Sequence, residues 1–242
     1  MFFHTMKKIL KKISAIIILV VVLGSLIIVM LGHKEYQEVT REKPLEQAIS
    51  GLQDKKYYVS LDEIPDMVAR AMIGVEDKRF YSRKTTLDYW SLGRATWENI
   101  KAMKLVEGGS TIPQQVSKNL YFDHSASFVR KVSEFFVTRD LLNLKSKEEI
   151  LELYLNVAYF GDGYTGIGEA ALGYFSIPVQ ELSDAQATLL VGIVQSPANY
   201  ELSHNYERAK ERQKTILTRL VEQDVISELE AIDLYNEDVF GG

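Results

Sequence analysis

The chain has 242 residues, 46% of them hydrophobic and 25% charged, with no cysteine and a formal net charge of −5. This composition suits one compact globular domain with an appendage. It excludes a disulfide framework and thiol chemistry, and its acidic balance makes general nucleic-acid binding a poor fit.

The appendage stands at the front. Ile13 to Leu31 form an apolar run broken only by Ser14, Gly24 and Ser25. As a helix, residues 13–31 are long enough to cross a hydrocarbon core of ~30 Å. Residues 1–12 form a basic tail with Lys7, Lys8, Lys11 and Lys12. By the positive-inside tendency the N-terminus is expected in the cytoplasm and the rest of the chain outside it. A cleaved signal peptide is the rival reading, but its apolar core is normally shorter and ends in small residues. Met30-Leu31-Gly32-His33-Lys34 is a poor cleavage site, so a retained single-pass anchor in the cytoplasmic membrane is expected. Residues 1–33 carry four lysines and no acid, which leaves 24 basic against 33 acidic residues, a net of −9, in the remainder.

Residues 32–59 are charged and weakly periodic, as in a juxtamembrane connector with one short helix or strand. From Ser60 the punctuation is helical. Capping-box spacings occur at Ser60/Glu63, Thr111/Gln114, Ser146/Glu149, Ser183/Gln186 and Ser227/Glu230. Apolar residues follow at helical spacing, as in Ile150, Leu151, Leu153, Tyr154, Leu155 and Val157. Loops are expected at residues 82–86, 107–110, 123–127, 161–168 and 196–204. Long alternating strand patterns are absent, so the fold class is mostly α, with residues 60–242 as the globular domain. His4, His33, His124 and His204 are scattered without ligand spacing, which gives no support to a histidine metal site.

The stretch Gly108 to Asn119 reads GGSTIPQQVSKN. Two glycines permit a sharp turn and close approach of backbone to a ligand. Thr111 and Gln114 then open a helix with Pro113 in its first turn, where a missing N–H costs nothing. A helix N-terminus beside small residues suits an anion, and Lys118 adds a point charge. A solvated helix after an ordinary Gly-Gly turn explains the same residues. Two carboxylates keep unusual company as well. Glu76 ends an apolar helical face and is followed by Asp77, Lys78, Arg79 and Phe80. It can serve as a general base or belong to a solvated helix end. Glu134 stands four residues after Arg130, a spacing that by itself gives only a surface ion pair.

Together these segments form an ordered set. Glu76-Asp77-x-x-Phe80, Gly108-Gly109-Ser110-Thr111-x-x-Gln114-Gln115-x-x-Lys118-Asn119, Arg130-Lys131-x-x-Glu134 and Lys147-x-x-Ile150-Leu151-Glu152-x-Tyr154-Leu155-Asn156 follow one another. Downstream come Tyr159-Phe160-Gly161, Gly166-x-Gly168-Glu169-Ala170-Ala171, Pro197-x-x-Tyr200 and Glu211-Arg212. The arrangement resembles the motifs of the peptidoglycan glycosyltransferases, glycosyltransferase family 51, over about residues 60–235.

The resemblance implies a lysozyme-like helical domain on the outer face of the membrane. It implies polymerisation of lipid II, and the chain's length fits a monofunctional transglycosylase. Glu76 matches the family's general base, and Glu134 its second essential glutamate, on the pyrophosphate side. Lys118, Arg130 and Lys131 are the expected pyrophosphate contacts. Ser110, Thr111, Gln114, Gln115, Asn119, Asp77 and Phe80 are the expected substrate-binding residues. The family also implies Mg²⁺ or Mn²⁺ at the pyrophosphate, no organic cofactor, and cell-wall synthases as partners besides lipid II, the glycan strand and the membrane. An apolar surface beside the cleft is expected to dip into the bilayer, with Tyr121, Phe122, Phe135 and Phe136 as candidates.

Two departures stand out. The family's first motif continues Phe-x-x-His-x-Gly-x-Asp, whereas this chain reads Phe80-Tyr81-Ser82-Arg83-Lys84-Thr85-Thr86-Leu87-Asp88. Relatives commonly carry an arginine where this chain has Ala126, so Arg83, Lys84 or His124 would have to supply that contact. A catalytically impaired relative that binds lipid II or synthases, and a lysozyme-like glycan hydrolase, are the alternative functions.

Overall fold

The structure, a computed structural model, describes residues 2–83, 85–86, 109–122 and 127–240. Its α-helices, in chain order, are α1 (Phe2–Glu42), α2 (Leu45–Gln53), α3 (Asp66–Glu76), α4 (Ile112–Tyr121), α5 (Phe128–Leu144) and α6 (Lys147–Val157). They continue with α7 (Ile167–Phe175), α8 (Asp184–Val194), α9 (Pro197–Tyr200), α10 (Leu202–Val221) and α11 (Glu228–Asn236). Two single 3₁₀ turns, Leu61–Glu63 and Val179–Glu181, complete the set. Among the described residues there is no strand, only an isolated antiparallel bridge between Tyr159 and Thr165. The fold class is mostly α.

Helix starts follow the side chains that satisfy the orphan N–H groups of a first turn. All five expected capping boxes are present, at Ser60/Glu63, Thr111/Gln114, Ser146/Glu149, Ser183/Gln186 and Ser227/Glu230. The core centres on α8. It is apolar on nearly every side and buries Ala185, Ala187, Leu189, Leu190, Val191 and Ile193, as a helix surrounded by others must. Helices α3 and α10 pack against it. On the other side of the domain α6 buries Ile150, Leu151, Leu153, Tyr154 and Leu155, and carries α4 and α5 on its surface.

Helix α1 is, among the described residues, the one helix long and apolar enough to cross a membrane. Most of its apolar side chains are exposed: Val20 is 63% exposed and Met30 72%. The helix does not stop with the apolar run. It continues to Glu42, and the added turns lie along α5. A Cβ built on Gly32 would lie 2.6 Å from Val132 Cβ and 2.7 Å from the Val129 carbonyl oxygen. Only glycine permits this approach. One turn on, the Phe136 ring packs on His33 and Tyr36, with centroids 4.9 and 5.4 Å away, and the Tyr36 hydroxyl donates to Asp140. Contacts advance together along both helices, so α1 and α5 run parallel.

The segment read from sequence as a connector is thus folded into the domain. Within it α2 buries Leu45, Ala48, Ile49 and Leu52. Asn156 pins the chain beyond: its Oδ1 accepts from Val59 N at 2.8 Å and its Nδ2 donates to Val59 O at 2.8 Å. Glu152 accepts from the Tyr58 hydroxyl at 2.6 Å and from Leu61 N at 2.8 Å.

The expected loop at residues 196–204 is mostly helical. Pro197 starts α9, where its fixed φ suits a first turn, and Leu202 already belongs to α10, which kinks at Asn205.

Candidate active site

Three helix segments bring the predicted side chains together: the last turn of α3, the first two turns of α4 and the first two turns of α5. Helix α3 ends at Glu76 because Asp77 leaves helical geometry (φ −154°, ψ 68°). Glu76 is half-buried, and Gln115 of α4 donates its Nε2 to Glu76 Oε2 at 2.8 Å. The Gln115 amide is itself held, since the Tyr154 hydroxyl of α6 donates to its Oε1 at 3.3 Å. Tyr154 is fully buried. Burial raises its hydroxyl pKa well above the ordinary value, and the nearby Glu76 and Asp77 carboxylates add to this, so it acts as a fixed donor. A candidate base and its orienting partner are locked from the core outward.

Glu134 has 1% side-chain exposure, yet it is not an orphan charge. Arg130 Nε lies 2.9 Å from its Oε1, and Lys131 Nζ lies 2.6 Å from its Oε2. Lys131 Nζ also donates to Ser110 Oγ at 3.1 Å, which ties the loop before α4 to α5. The Arg130–Glu134 pair is therefore buried rather than the surface pair that spacing alone suggests. Lys118 of α4 stands near Glu134 and Glu76. Burial lowers its pKa below the ordinary lysine value, Lys131 and Arg130 push the same way, and Glu134 and Glu76 oppose. Three cations around one carboxylate leave an excess of positive charge, which suits a strongly anionic ligand.

Several of the expected substrate contacts are buried and bonded within the protein. Asp77 is buried and ion-paired through both carboxylate oxygens to Arg83, at 2.5 and 2.8 Å. It also accepts from Ile112 N, at the start of α4, at 3.1 Å. Phe80 has no exposed surface and carries Lys147 Nζ 4.9 Å above its ring. Both belong to the turn after α3, which folds inward onto the core. Arg83 is committed to Asp77. Thr111 and Gln114 are also buried, with Gln114 Oε1 accepting from Thr111 N at 3.0 Å. Asn119 is half-buried on the same helix as Lys118. Gly108, Lys84, Asp88, His124 and Ala126 lie outside the described residues.

Among the described residues the cleft does not group three metal-ligating side chains. Both Glu134 oxygens are engaged by cations and Glu76 is held by Gln115. The described residues grouped as metal ligands are elsewhere: Asp162, Glu201 and His204 have ligand atoms within 4.8 Å of one another. There the Ser203 hydroxyl bonds Asp162 and lies 2.5 Å from His204 Nδ1.

Sequence reasoning named Tyr154 and Arg83 but missed the partner of each, Gln115 and Asp77. Tyr154 lies in a recognised motif, and only its burial under Gln115 reveals its role. Arg83 stands where the family pattern has histidine, and its partner Asp77 follows from the inward turn.

The profile of the transglycosylase family matches residues 41–221, and the chain belongs to that family. It is 40% identical over 184 residues to penicillin-binding protein 2D of Bacillus subtilis, covering 76% of this chain and 26% of that protein. It is 41% identical over 174 residues to penicillin-binding protein 1F of the same organism, covering 72% of this chain and 24% of that one. The chain thus spans about a quarter of the length of these curated relatives. A crystal structure of penicillin-binding protein 1A from Haemophilus influenzae aligns with 75% of this chain and 17% of that chain, at TM-score 0.46 and 19% identity.

Proposed function

We propose that this chain polymerises lipid II into linear peptidoglycan strands, forming β-1,4 bonds with inversion and releasing polyprenyl pyrophosphate. The observation that carries the reading is the height of the cation cluster. The parallel register of α1 and α5 sets Gly32 against Val129 and Val132. Residues 130–134 therefore stand level with the first turn of α1 beyond Leu31. At ~1.5 Å per residue this is within about 5 Å of the end of the apolar run, the depth of a headgroup layer. Lipid phosphates lie at that depth. The reading places the N-terminus in the cytoplasm and the domain outside, as Lys7, Lys8, Lys11 and Lys12 favour.

In this mechanism the acceptor's sugar 4-hydroxyl, a weak nucleophile, gives its proton to Glu76 as it attacks the anomeric carbon. Attack comes from the face opposite the pyrophosphate, so configuration inverts without a covalent sugar–enzyme intermediate. Lys118, Arg130 and Lys131 stabilise the charge of the departing pyrophosphate. Glu134 keeps Arg130 and Lys131 in position, and Gln115 aims Glu76. Mg²⁺ or Mn²⁺ bound with the substrate would neutralise charge on the pyrophosphate, while both Glu134 oxygens are held by Arg130 and Lys131. Tethering both enzyme and substrate to one bilayer raises their effective concentration.

Purified protein given labelled lipid II provides the test. Long glycan strands made by the wild type and lost in Glu76→Gln are the expected result. Binding without polymer would instead identify an impaired relative. Shortening of preformed glycan without polymerisation would identify a hydrolase and overturn the proposal.

A further inference from the structure

Asp162, Glu201 and His204 take no part in the cleft around Glu76. One ligand atom from each, a carboxylate oxygen or a ring nitrogen, lies within 4.8 Å of the other two. Two separately anchored segments supply them. Asp162 belongs to the loop after α6, in left-handed geometry (φ 49°) between Gly161 and Gly163, both also at positive φ. That loop is closed by Phe160 N, which donates to Tyr164 O at 2.9 Å, and by Gly166 N, which donates to Ala158 O at 2.8 Å. Glu201 links α9 to α10, and His204 lies in the first turn of α10, just before its kink at Asn205. No spacing in the chain marks this set, because its members come from two segments.

The segments meet at close quarters. A Cβ built on Gly161 would lie 2.8 Å from Glu201 Cβ and 3.1 Å from the Tyr174 hydroxyl, so only glycine lets Glu201 close on the loop. Asp162 N donates to Glu201 Oε2 at 3.4 Å, across 39 positions. Ser203 N donates to Asp162 Oδ2 at 3.3 Å. The Ser203 hydroxyl donates to Asp162 as well and lies 2.5 Å from His204 Nδ1. Asp162 thereby caps the start of α10 yet keeps free lone pairs, since a carboxylate offers about four. One carboxylate would suffice for that capping, and Glu201 adds a second negative charge beside it. Two carboxylates this close repel each other when ionised. The buried carboxylates Asp77 and Glu134 each have cations against them. Among the described residues no lysine or arginine pairs with Asp162 or Glu201.

We propose that Asp162, Glu201 and His204 form a site for a divalent cation of the zinc class, distinct from the pyrophosphate contacts of the cleft. One imidazole nitrogen and two carboxylate oxygens make the donor set. His204 is exposed and the two carboxylates are half-buried, so water can fill the remaining positions. The imidazole selects Zn²⁺ over Mg²⁺ and Ca²⁺, which prefer oxygen ligands alone. A tetrahedral zinc ion with ligands at ~2.0–2.2 Å holds its donor atoms about 3.4 Å apart, so small side-chain rotations close the site. The ion supplies the positive charge that the described side chains lack, and it clamps the loop after α6 to the start of α10. No step of glycosyl transfer runs through it, and the inference stands whether or not the chain polymerises lipid II.

Zinc titration of the full-length protein in detergent, free of any tag and stripped with a chelator, tests the site. Calorimetry should show one Zn²⁺ bound per chain with micromolar or tighter affinity, and Mg²⁺ at the same concentration should not bind there. Saturating Zn²⁺ should raise the melting temperature, as any ligand of the folded state does. His204→Gln and Asp162→Asn should each weaken zinc binding by about tenfold or more and abolish the shift, with far-ultraviolet circular dichroism unchanged. Asp162→Asn also disturbs the Ser203 bonds, whereas His204 is exposed, so His204→Gln decides the matter if Asp162→Asn folds poorly. Absence of stoichiometric binding by the wild type, or binding undiminished in His204→Gln, would overturn the site. Equal binding of Mg²⁺ would overturn the assignment as well.

Discussion

Gln115 Nε2 donates to Glu76 Oε2 at 2.8 Å, from a helix that begins only at Ile112, whereas Glu76 ends its own. This bond aims the carboxylate, and the Tyr154 hydroxyl behind it aims the amide. Glu76→Gln should lower polymerisation by about 10²–10⁴-fold, as loss of a general base does. Gln115→Met keeps the carboxylate but removes its partner. A hydrogen bond to a charged group contributes ~1.5–3 kcal/mol, so the loss should be about ten- to hundredfold. Initial rates on labelled lipid II, beside far-ultraviolet circular dichroism of each variant, measure both.

Lys118 should trade stability for function. Burial lowers its pKa from the ordinary 10.5, so its charged form is less favourable in the folded chain than in the unfolded one. Below the folded pKa this costs stability by a constant amount. Between the folded pKa and 10.5 the unfolded chain holds the extra proton, and stability rises with pH. Lys118→Met should therefore melt no lower than the wild type at neutral pH while polymerising poorly. Lys118→Arg, charged at any accessible pH, should move the alkaline limit of activity upward. Thermal melts and a pH–rate profile check the pair.

Arg83 and Asp77 form a buried pair, with side-chain exposures of 5% and 2%. Removing one partner of such a pair typically costs ~3–5 kcal/mol. Arg83→Met should lower the denaturant midpoint by an amount of that order. Because Asp77 also caps the start of α4, activity should fall with it.

Gly32 is a contact point of α1 with α5. Gly32→Leu must displace Val132 or the Val129 carbonyl and should destabilise the domain by ~1–3 kcal/mol or more. Gly24 has nothing within 4 Å of a built Cβ, so Gly24→Leu should leave the melt unchanged. Thermal unfolding in detergent micelles distinguishes them.

Much of this was legible in the chain. Capping boxes are local, because the cap and its partner are three residues apart, and all five formed. The apolar run and its basic flank need no tertiary context either. The site was legible as far as its motifs reach: Glu76, Lys118, Arg130, Lys131 and Glu134 do converge. The directions of side chains were not. Asp77 and Phe80 sit beside Glu76 in sequence, yet the turn after α3 carries them into the core. Residues 32–59 look like a tether because their charges face water, while Leu45, Ile49 and Leu52 face inward.

By itself, then, the sequence determined the helical class, the membrane-length helix and the motifs that name the candidate site residues, since each depends on spacing within one element. Tertiary structure decided which of them meet. The tie from Gln115 to Glu76 spans 39 positions and that from Tyr154 to Gln115 another 39. The parallel register of α1 and α5, which sets the cation cluster level with the end of the apolar run, comes from Gly32 meeting Val129 and Val132 of α5. Such relations follow from how helices pack, and packing is settled by shape complementarity among many side chains at once.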